Sequence, residues 1–96
     1  MLYALLCTDK PDSLDLRMKV RSEHLAYLNG PMVNLKAAGP FLDDAGNPTG
    51  SLVIIEAVDM AAAKIVASND PYSLAGLFSD VEIKAWRWAL KNPDAA

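Results

Sequence analysis

The middle of the chain predicts a long β-hairpin, and this feature constrains the fold more than any other. Along residues 32–42 one side of the alternation carries Val33, Leu35, Ala37, Gly39 and Phe41. A period of two is that of a β-strand. Residues 43–50 are rich in Asp, Gly, Asn and Pro, which predicts a turn, and residues 51–58 form a second apolar strand. We therefore expect an antiparallel sheet.

One helix and one strand flank the hairpin on each side. The other predicted elements are a strand at 2–8, a helix from 13 to about 29, a helix at 60–68, a helical turn at 71–75 and a strand at 79–90. Asp12 or Ser13 is expected to cap the first helix, and Asp59 the second. The order β-α-β-β-α-β is typical of ferredoxin-like α+β proteins, in which two helices cover one face of an antiparallel sheet. All 96 residues fit a single domain.

The predicted sheet has an apolar face that two helices cannot cover. In the last strand, one face carries Val81, Ile83 and Ala85, and the other carries Trp86, Trp88 and Leu90. Apolar residues make up 52% of the sequence, which is high for so short a chain. A large exposed apolar patch marks an interaction surface, and symmetric pairing is the commonest way to cover one. We therefore expect a homodimer that packs sheet against sheet.

Charge and cysteine content exclude several classes of function. The net charge is −3 and the basic residues form no cluster, which disfavours nucleic-acid binding. Residues 1–7 lack a basic segment and end at a polar group, so we expect no signal peptide, no membrane span and a cytoplasmic protein. A single cysteine, Cys7, excludes an internal disulfide and a Cys-based zinc site. Residues 43–50 lack the spacing of a calcium loop, and the glycines form no nucleotide-binding pattern, so we expect no metal or cofactor.

The chain's only histidine, His24, lies on the first predicted helix. At about 100° per residue, we expect an apolar stripe to face the core, with Arg21 inside it; the stripe consists of Leu14, Met18, Leu25 and Leu28. Arg17 and His24 lie on the adjoining edge. One interpretation is that Arg17, Arg21 and His24 line a pocket wall that carries positive charge or protons. The other is that the arginines extend along apolar surface and the histidine is solvated.

The segment Asp70-Pro71-Tyr72 offers a partner for this histidine. A carboxylate on one imidazole nitrogen orients the ring and stabilises the imidazolium that forms on proton uptake. However, Asp followed by Pro is also an ordinary start of a helical turn, with Asp as the N-cap. Sequence spacing gives no distance between His24 and Asp70, so both interpretations stay open.

Five short segments stand in a specific order and spacing along the chain. They are Asp9-Lys10-Pro11-Asp12-Ser13, Arg17-x-x-x-Arg21-x-x-His24-Leu25, Ala38-Gly39-Pro40, Thr49-Gly50-Ser51 and Asp70-Pro71-Tyr72-Ser73-Leu74-Ala75-Gly76. In this combination the chain resembles the YciI-like, or YCII-related, family of small dimeric bacterial proteins over nearly its whole length. The resemblance implies a ferredoxin-like fold that pairs into a dimeric α+β barrel, with His24 and Asp70 as the active-site pair. Four residues stand at matching motif positions and are expected to shape a substrate pocket: Arg21, Gly39, Pro40 and Tyr72.

The resemblance also implies a function. One relative removes chloride from a chlorinated hydroxyhydroquinone, which suggests proton transfer on small acidic ring compounds. We therefore expect a lyase- or isomerase-like enzyme in which His24 is the general acid and base, Asp70 orients it, and Arg21 holds an anionic group of the substrate. The alternative is a non-catalytic dimeric module that binds a small metabolite or a partner, with His24 and Asp70 in structural roles. Whether the pair meets within one chain or across the dimer stays open.

Overall fold

The structure, a computed structural model, describes residues 1–94 as a four-stranded sheet and three helices. The elements are β1 (Leu2–Asp9), α1 (Leu14–Leu28), β2 (Asn34–Leu42), β3 (Pro48–Glu56), α2 (Met60–Asn69), α3 (Pro71–Leu74) and β4 (Phe78–Trp86). Neighbouring strands are antiparallel, in the order β2-β3-β1-β4. This arrangement is the ferredoxin-like α+β fold that the sequence predicts. None of the helices in residues 1–94 is long and apolar enough to cross a membrane.

The core lies between the sheet and the helices α1 and α2. The inward-facing residues of the two central strands are Tyr3, Leu5, Cys7, Val53 and Ile55. Helix α2 meets them through Ala63 and Ala67, whose small side chains let the helix lie close to the sheet. Full burial of a Val, Leu or Ile side chain contributes about 1.5–3 kcal/mol, so this layer holds α2 against the strands.

Helix α1 is rotated about its axis relative to the predicted orientation. Its buried residues are Arg17, Val20, His24 and Leu28, whereas the exposed ones include Leu14, Met18 and Leu25. The prediction that the apolar stripe faces the core is therefore wrong except at Leu28. Polar side chains are buried instead because each of them has a hydrogen-bonding partner in the fold, which offsets the cost of removing it from water.

The first turn of α1 also differs from the prediction. Ser13 is the N-cap residue, but its hydroxyl donates to the carbonyl of Pro11 at 3.2 Å and makes no bond to a helix amide. Asp12 has a φ of 57°, in the left-handed region that Asp tolerates better than most residues. The predicted side-chain cap of α1 is therefore wrong. The cap of α2 is confirmed, because the Asp59 carboxylate accepts from the amide of Ala62 at 2.8 Å.

A bulge in β2 reverses which of its side chains face the helices. Pairing with β3 shifts by one residue at Lys36, which is left unpaired. Beyond this point Ala38 and Pro40 lie on the helix side of the sheet, and Gly39 and Phe41 lie on the opposite face. We call this opposite face, which the helices leave uncovered, the open face. The single alternation predicted for the strand is therefore wrong past the bulge, because one extra residue exchanges the two faces.

The last strand is shorter than predicted, and the chain beyond it leads toward β2. Strand β4 ends at Trp86, four residues before the predicted end. The Trp86 side chain lies on the open face, and the ring of Trp88 packs against it with centroids 4.9 Å apart. The Asp94 carboxylate lies 3.9 Å from Lys36 Nζ in β2. The C-terminal segment therefore leads from one edge strand to the other, and Trp88 packs on the open face, which was predicted to be covered by a partner subunit.

Candidate active site

His24 and Asp70 meet within one chain. Nδ1 of His24 lies 2.8 and 2.9 Å from the two carboxylate oxygens of Asp70, and each residue is only 6% exposed. Because an ionised carboxylate can only accept hydrogen bonds, Nδ1 carries a proton and donates it. In the neutral ring Nε2 then has a free lone pair. Nε2 makes no hydrogen bond to residues 1–94 and is not sealed off, since His24 lines a cavity.

The junction between α2 and α3 holds Asp70 in place. Asp70 ends α2 and is the N-cap of α3, with an extended backbone at φ −60° and ψ 131°. Its Oδ1 accepts from the amide of Tyr72 at 2.9 Å, and Pro71 occupies the first helical position, where an N–H is not needed. The carboxylate therefore does both things that the sequence suggested: it caps α3 and it bonds His24. A carboxylate fixed by a cap also fixes the orientation of the imidazole.

The ring of Tyr72 contacts both His24 and Arg17. It stacks on the imidazole with centroids 3.9 Å apart and planes 13° from parallel. The guanidinium carbon of Arg17 lies 4.8 Å from the centroid of the same ring. Aromatic stacking and cation–π contacts contribute about 0.5–2 kcal/mol each. Because Tyr72 is only 1% exposed, its ring restricts the positions of both neighbours.

Arg17 belongs to a second buried ion pair. Its Nε and Nη2 donate to the two carboxylate oxygens of Asp9 at 2.7 and 2.9 Å, and Nη2 also donates to Ser51 Oγ at 2.8 Å. Two parallel bonds between guanidinium and carboxylate are the strong form of this contact. Burial, the largest influence, favours the neutral guanidine, but the hydrogen bond and charge of Asp9 outweigh it and raise the pKa of Arg17 above its usual value. Arg17 therefore stays charged.

The hydroxyl of Tyr72 stays protonated at neutral pH. Burial raises the pKa of the phenol above its usual value, and the negative charges of Asp70 and Asp9 act in the same direction. The positive charges of Arg17 and Arg21 oppose them without reversing the shift. The phenol is therefore a hydrogen-bond donor beside the histidine.

A cavity of about 190 Å³ opens beside this cluster. Arg21, Gly39, Pro40 and Tyr72, the residues predicted to shape a substrate pocket, all line it together with His24. Asp70 lies behind the imidazole and does not line it. A cavity of about 150 Å³ can hold a benzene molecule, so this one has room for a single substituted ring.

Apolar side chains and one positively charged side chain surround the opening of the cavity. Arg21 is exposed there, and Met18 and Leu25 flank it. These residues belong to the stripe that was predicted to face the core. The stripe exists, but it faces the cavity and the solvent, because the rotation of α1 brings Arg17 and His24 inward in its place.

Sequence reasoning missed Asp9 and Ser51 and placed Arg17 only on the edge of its helix. Asp9 ends a strand and Ser51 lies in the buried part of another, so neither carries a periodic signal that connects it to α1. Both residues fall in segments that support the family resemblance. Their positions in these segments were the only feature of the sequence that connected Asp9 and Ser51 with the site.

The arrangement suits proton transfer. A histidine with a carboxylate on Nδ1 and an accessible Nε2 can take up a proton and return it, because the carboxylate stabilises the imidazolium. Among residues 1–94, no group of three or more His, Cys, Asp or Glu side chains is placed to hold a metal ion.

A family model and a named relative match this chain. The model of the YCII-related domain matches residues 1–87. Protein YciI of Escherichia coli O6:H1 (strain CFT073) is 37% identical over 98 residues, which cover 91% of this chain and 97% of that protein.

Solved structures are similar as well. The 5-chloro-2-hydroxyhydroquinone dehydrochlorinase TftG from Burkholderia phenoliruptrix AC1100, solved with 2,5-dihydroxybenzoquinone, is 32% identical and has a TM-score of 0.83, over 93% of this chain and 96% of TftG. A NIPSNAP family protein from Agrobacterium tumefaciens strain C58 has a TM-score of 0.60 at 15% identity, over 98% of this chain and 97% of its own, and supports the fold alone. From the domain match and the identity to YciI, the chain belongs to the YCII-related domain family.

Proposed function

We propose that this protein is an enzyme that transfers protons on a small anionic ring compound of the enol or phenol type, with His24 as the general acid and base. One observation carries the proposal: Nδ1 of His24 is bonded to the buried Asp70 carboxylate at 2.8 Å, while Nε2 is open to the cavity. Nε2 has no hydrogen-bond partner among residues 1–94 and is accessible from the cavity. A histidine nitrogen in this position can exchange a proton with a molecule that binds there.

The proposed reaction is a proton transfer between oxygen and carbon. Nε2 takes the proton of a ring hydroxyl, the electron pair left on oxygen forms a carbonyl, and a ring carbon receives the proton back from the imidazolium. Atoms and charge balance, since the substrate is only isomerised. Where that carbon carries chlorine, a second hydroxyl can then lose its proton, and chloride leaves with the electron pair of the C–Cl bond. The net loss from the substrate is HCl.

The cavity and a relative support this class of substrate. The volume of about 190 Å³ fits one substituted ring, and Arg21 at the opening attracts an anion. TftG, by its name, acts on a single chlorinated ring with acidic hydroxyl groups, and it is 32% identical to this chain. We propose the same class for this protein: small rings with acidic hydroxyl groups, with or without chlorine.

The experiment follows ring protons and chloride in heavy water. The wild type is incubated with a panel of small hydroxylated rings that includes 5-chloro-2-hydroxyhydroquinone, and NMR and a chloride electrode detect deuterium uptake and chloride release. We expect His24→Gln to lower the rate by about 10²–10⁴-fold, the usual contribution of general acid–base catalysis. Glu23→Gln, an exposed neighbour on α1, is the matched control and should retain the wild-type rate.

Two results would decide against the proposal. Equal rates in His24→Gln and the wild type would remove His24 from the chemistry. Binding of ring compounds to the wild type without exchange or turnover would favour the other candidate, a non-catalytic module that binds a small metabolite.

A further inference from the structure

Two buried side chains that line this cavity, those of Arg17 and Tyr72, each keep a hydrogen-bond donor without an acceptor among the described residues. The three hydrogen bonds of Arg17 to Asp9 and Ser51 use Nε and Nη2, and none of them uses Nη1. The Tyr72 hydroxyl lies beside the guanidinium, which only donates, so the phenol proton is donated to none of residues 1–94. Arg17 is 5% exposed and Tyr72 is 1% exposed, yet the described residues leave no enclosed side-chain nitrogen or oxygen unpaired. Both residues line the cavity. The two unpaired donors therefore open into it.

We propose that Tyr72 Oη and Arg17 Nη1 bind the substrate oxygen that carries negative charge while His24 holds the proton. The inference rests on the proposed function and deepens it. It assigns recognition of the charged oxygen to a buried pair of donors instead of to Arg21 at the opening.

Both donors are fixed before a substrate arrives. Asp9 and Ser51 hold two nitrogens of Arg17, so the direction of Nη1 is set by the fold. The ring of Tyr72 is held by its stack on the imidazole, and its amide is bonded to Asp70. Donors that are already in place need no reorganisation when charge develops, which is why such sites stabilise oxyanions strongly.

Arg21 is less suited to this role. Its side chain is exposed, and the attraction between an exposed charge and an anion is weakened by water and salt. Arg17 lies in a buried site where the same charge acts more strongly, and the Asp9 carboxylate keeps it in the charged form. Arg21 is therefore assigned to attraction of the substrate and Arg17 to its binding.

Tyr72→Phe tests the proposal, because it removes Oη and keeps the ring that stacks on His24. We expect kcat to fall about 10²-fold, as for loss of one oxyanion donor. The Kd of 2,5-dihydroxybenzoquinone in its anionic form should rise about tenfold or more, since one hydrogen bond to a charged group is lost. The Kd of an uncharged ring, 1,4-dimethoxybenzene, should not change.

Tyr27→Phe is the matched control. It removes a hydroxyl from α1 that donates to the carbonyl of Val66 at 2.8 Å and does not line the cavity. Its kcat and its affinity for the anion should equal those of the wild type. The ionisation state of the bound quinone gives a second measurement, which can be made from its visible absorbance. A purely structural role of Tyr72 would leave this ionisation unchanged. The pKa of the quinone should be lower when it is bound to the wild type than when it is bound to Tyr72→Phe.

The outcomes separate this inference from the proposed function. Unchanged kcat and unchanged anion affinity in Tyr72→Phe would overturn the inference and leave the function of His24 standing. Failure of the wild type to bind the quinone at millimolar concentration would overturn it as well. Loss of anion affinity in Tyr72→Phe, in a protein that turns over no ring compound, would support the anion site and overturn the proposed function.

Discussion

Two buried carboxylates, Asp70 and Asp9, position the two side chains that the site depends on. Asp70 bonds a histidine whose other ring nitrogen can accept a proton, and Asp9 bonds an arginine that stays charged. Removing one partner of a buried pair leaves an unpaired charge and typically destabilises a protein by about 3–5 kcal/mol. Substitutions that keep the shape of the side chain are therefore the informative ones at this scale.

Asp70→Asn is expected to lower turnover strongly and stability only slightly. Asparagine caps a helix about as well as aspartate, but its neutral amide does not stabilise the imidazolium. We expect kcat to fall about 10²–10⁴-fold in steady-state kinetics. Asp70→Ala also lacks the cap and should lose about 1 kcal/mol more in urea unfolding. Equal unfolding free energies for the Asn and Ala variants would contradict the capping role.

Cys7 is expected to make the protein less stable above pH 9. Burial, reinforced by the charges of Asp70 and Asp9, raises the pKa of the thiol from 9.0 to about 12. Between these values the unfolded chain releases a proton that the folded chain keeps, so the free energy of unfolding falls as pH rises. Urea titrations at pH 9 and 10 should show a smaller fall in Cys7→Ala than in the wild type. The same fall in both proteins would be evidence against this linkage.

At the scale of elements, periodicity and turn composition were enough to predict the hairpin, the order of strands and helices, and the sheet. They failed for the buried face of α1. A periodicity analysis considers only the polarity of each side chain itself. Arg17 and His24 are buried because they bond partners that lie 8 and 46 residues away in the sequence. Asp70 was proposed as a partner of His24 both from its own segment and from the family resemblance, but neither gave Asp9 a role.

Gly50→Ala is expected to weaken the junction of β1 and β3. A Cβ at Gly50 would overlap the carbonyl oxygen of Cys7, so the two backbones would have to separate. Strain of this kind costs about 1–3 kcal/mol and should appear as a lower Tm. Gly39→Ala is the matched control, because nothing lies within 4 Å of the Cβ that it would add. Equal melting temperatures for the two variants would show that the close approach is not limiting.

The whole molecule has one face of its sheet covered by helices and one face only partly covered. On the open face, Leu6 and Leu52 are half-buried and Phe41 is 43% exposed. Trp88 packs against Trp86 at one end of this face, so the chain itself supplies part of the cover. The remaining apolar surface is of the kind that mediates association.

We predict that this face forms the interface of a homodimer. Leu52 lies between Leu6 and Gly39 near the centre of the face, so Leu52→Glu would place a charge where a partner would desolvate it. Sedimentation velocity at micromolar concentration should show a dimer for the wild type and a monomer for Leu52→Glu. Lys64→Glu, an exposed position on α2 at the other side of the sheet, should remain dimeric. A monomeric wild type would refute the prediction.

The carboxylate of Asp70 ties the start of α3 to a helix 46 residues earlier in the chain. If the region of α2 and α3 opened locally, His24 would lose its partner and the ring of Tyr72 would leave the imidazole in the same event. The proposed activity therefore requires that this region stays docked. During gentle denaturation, the proposed activity should disappear no later than the docking of α3 is lost.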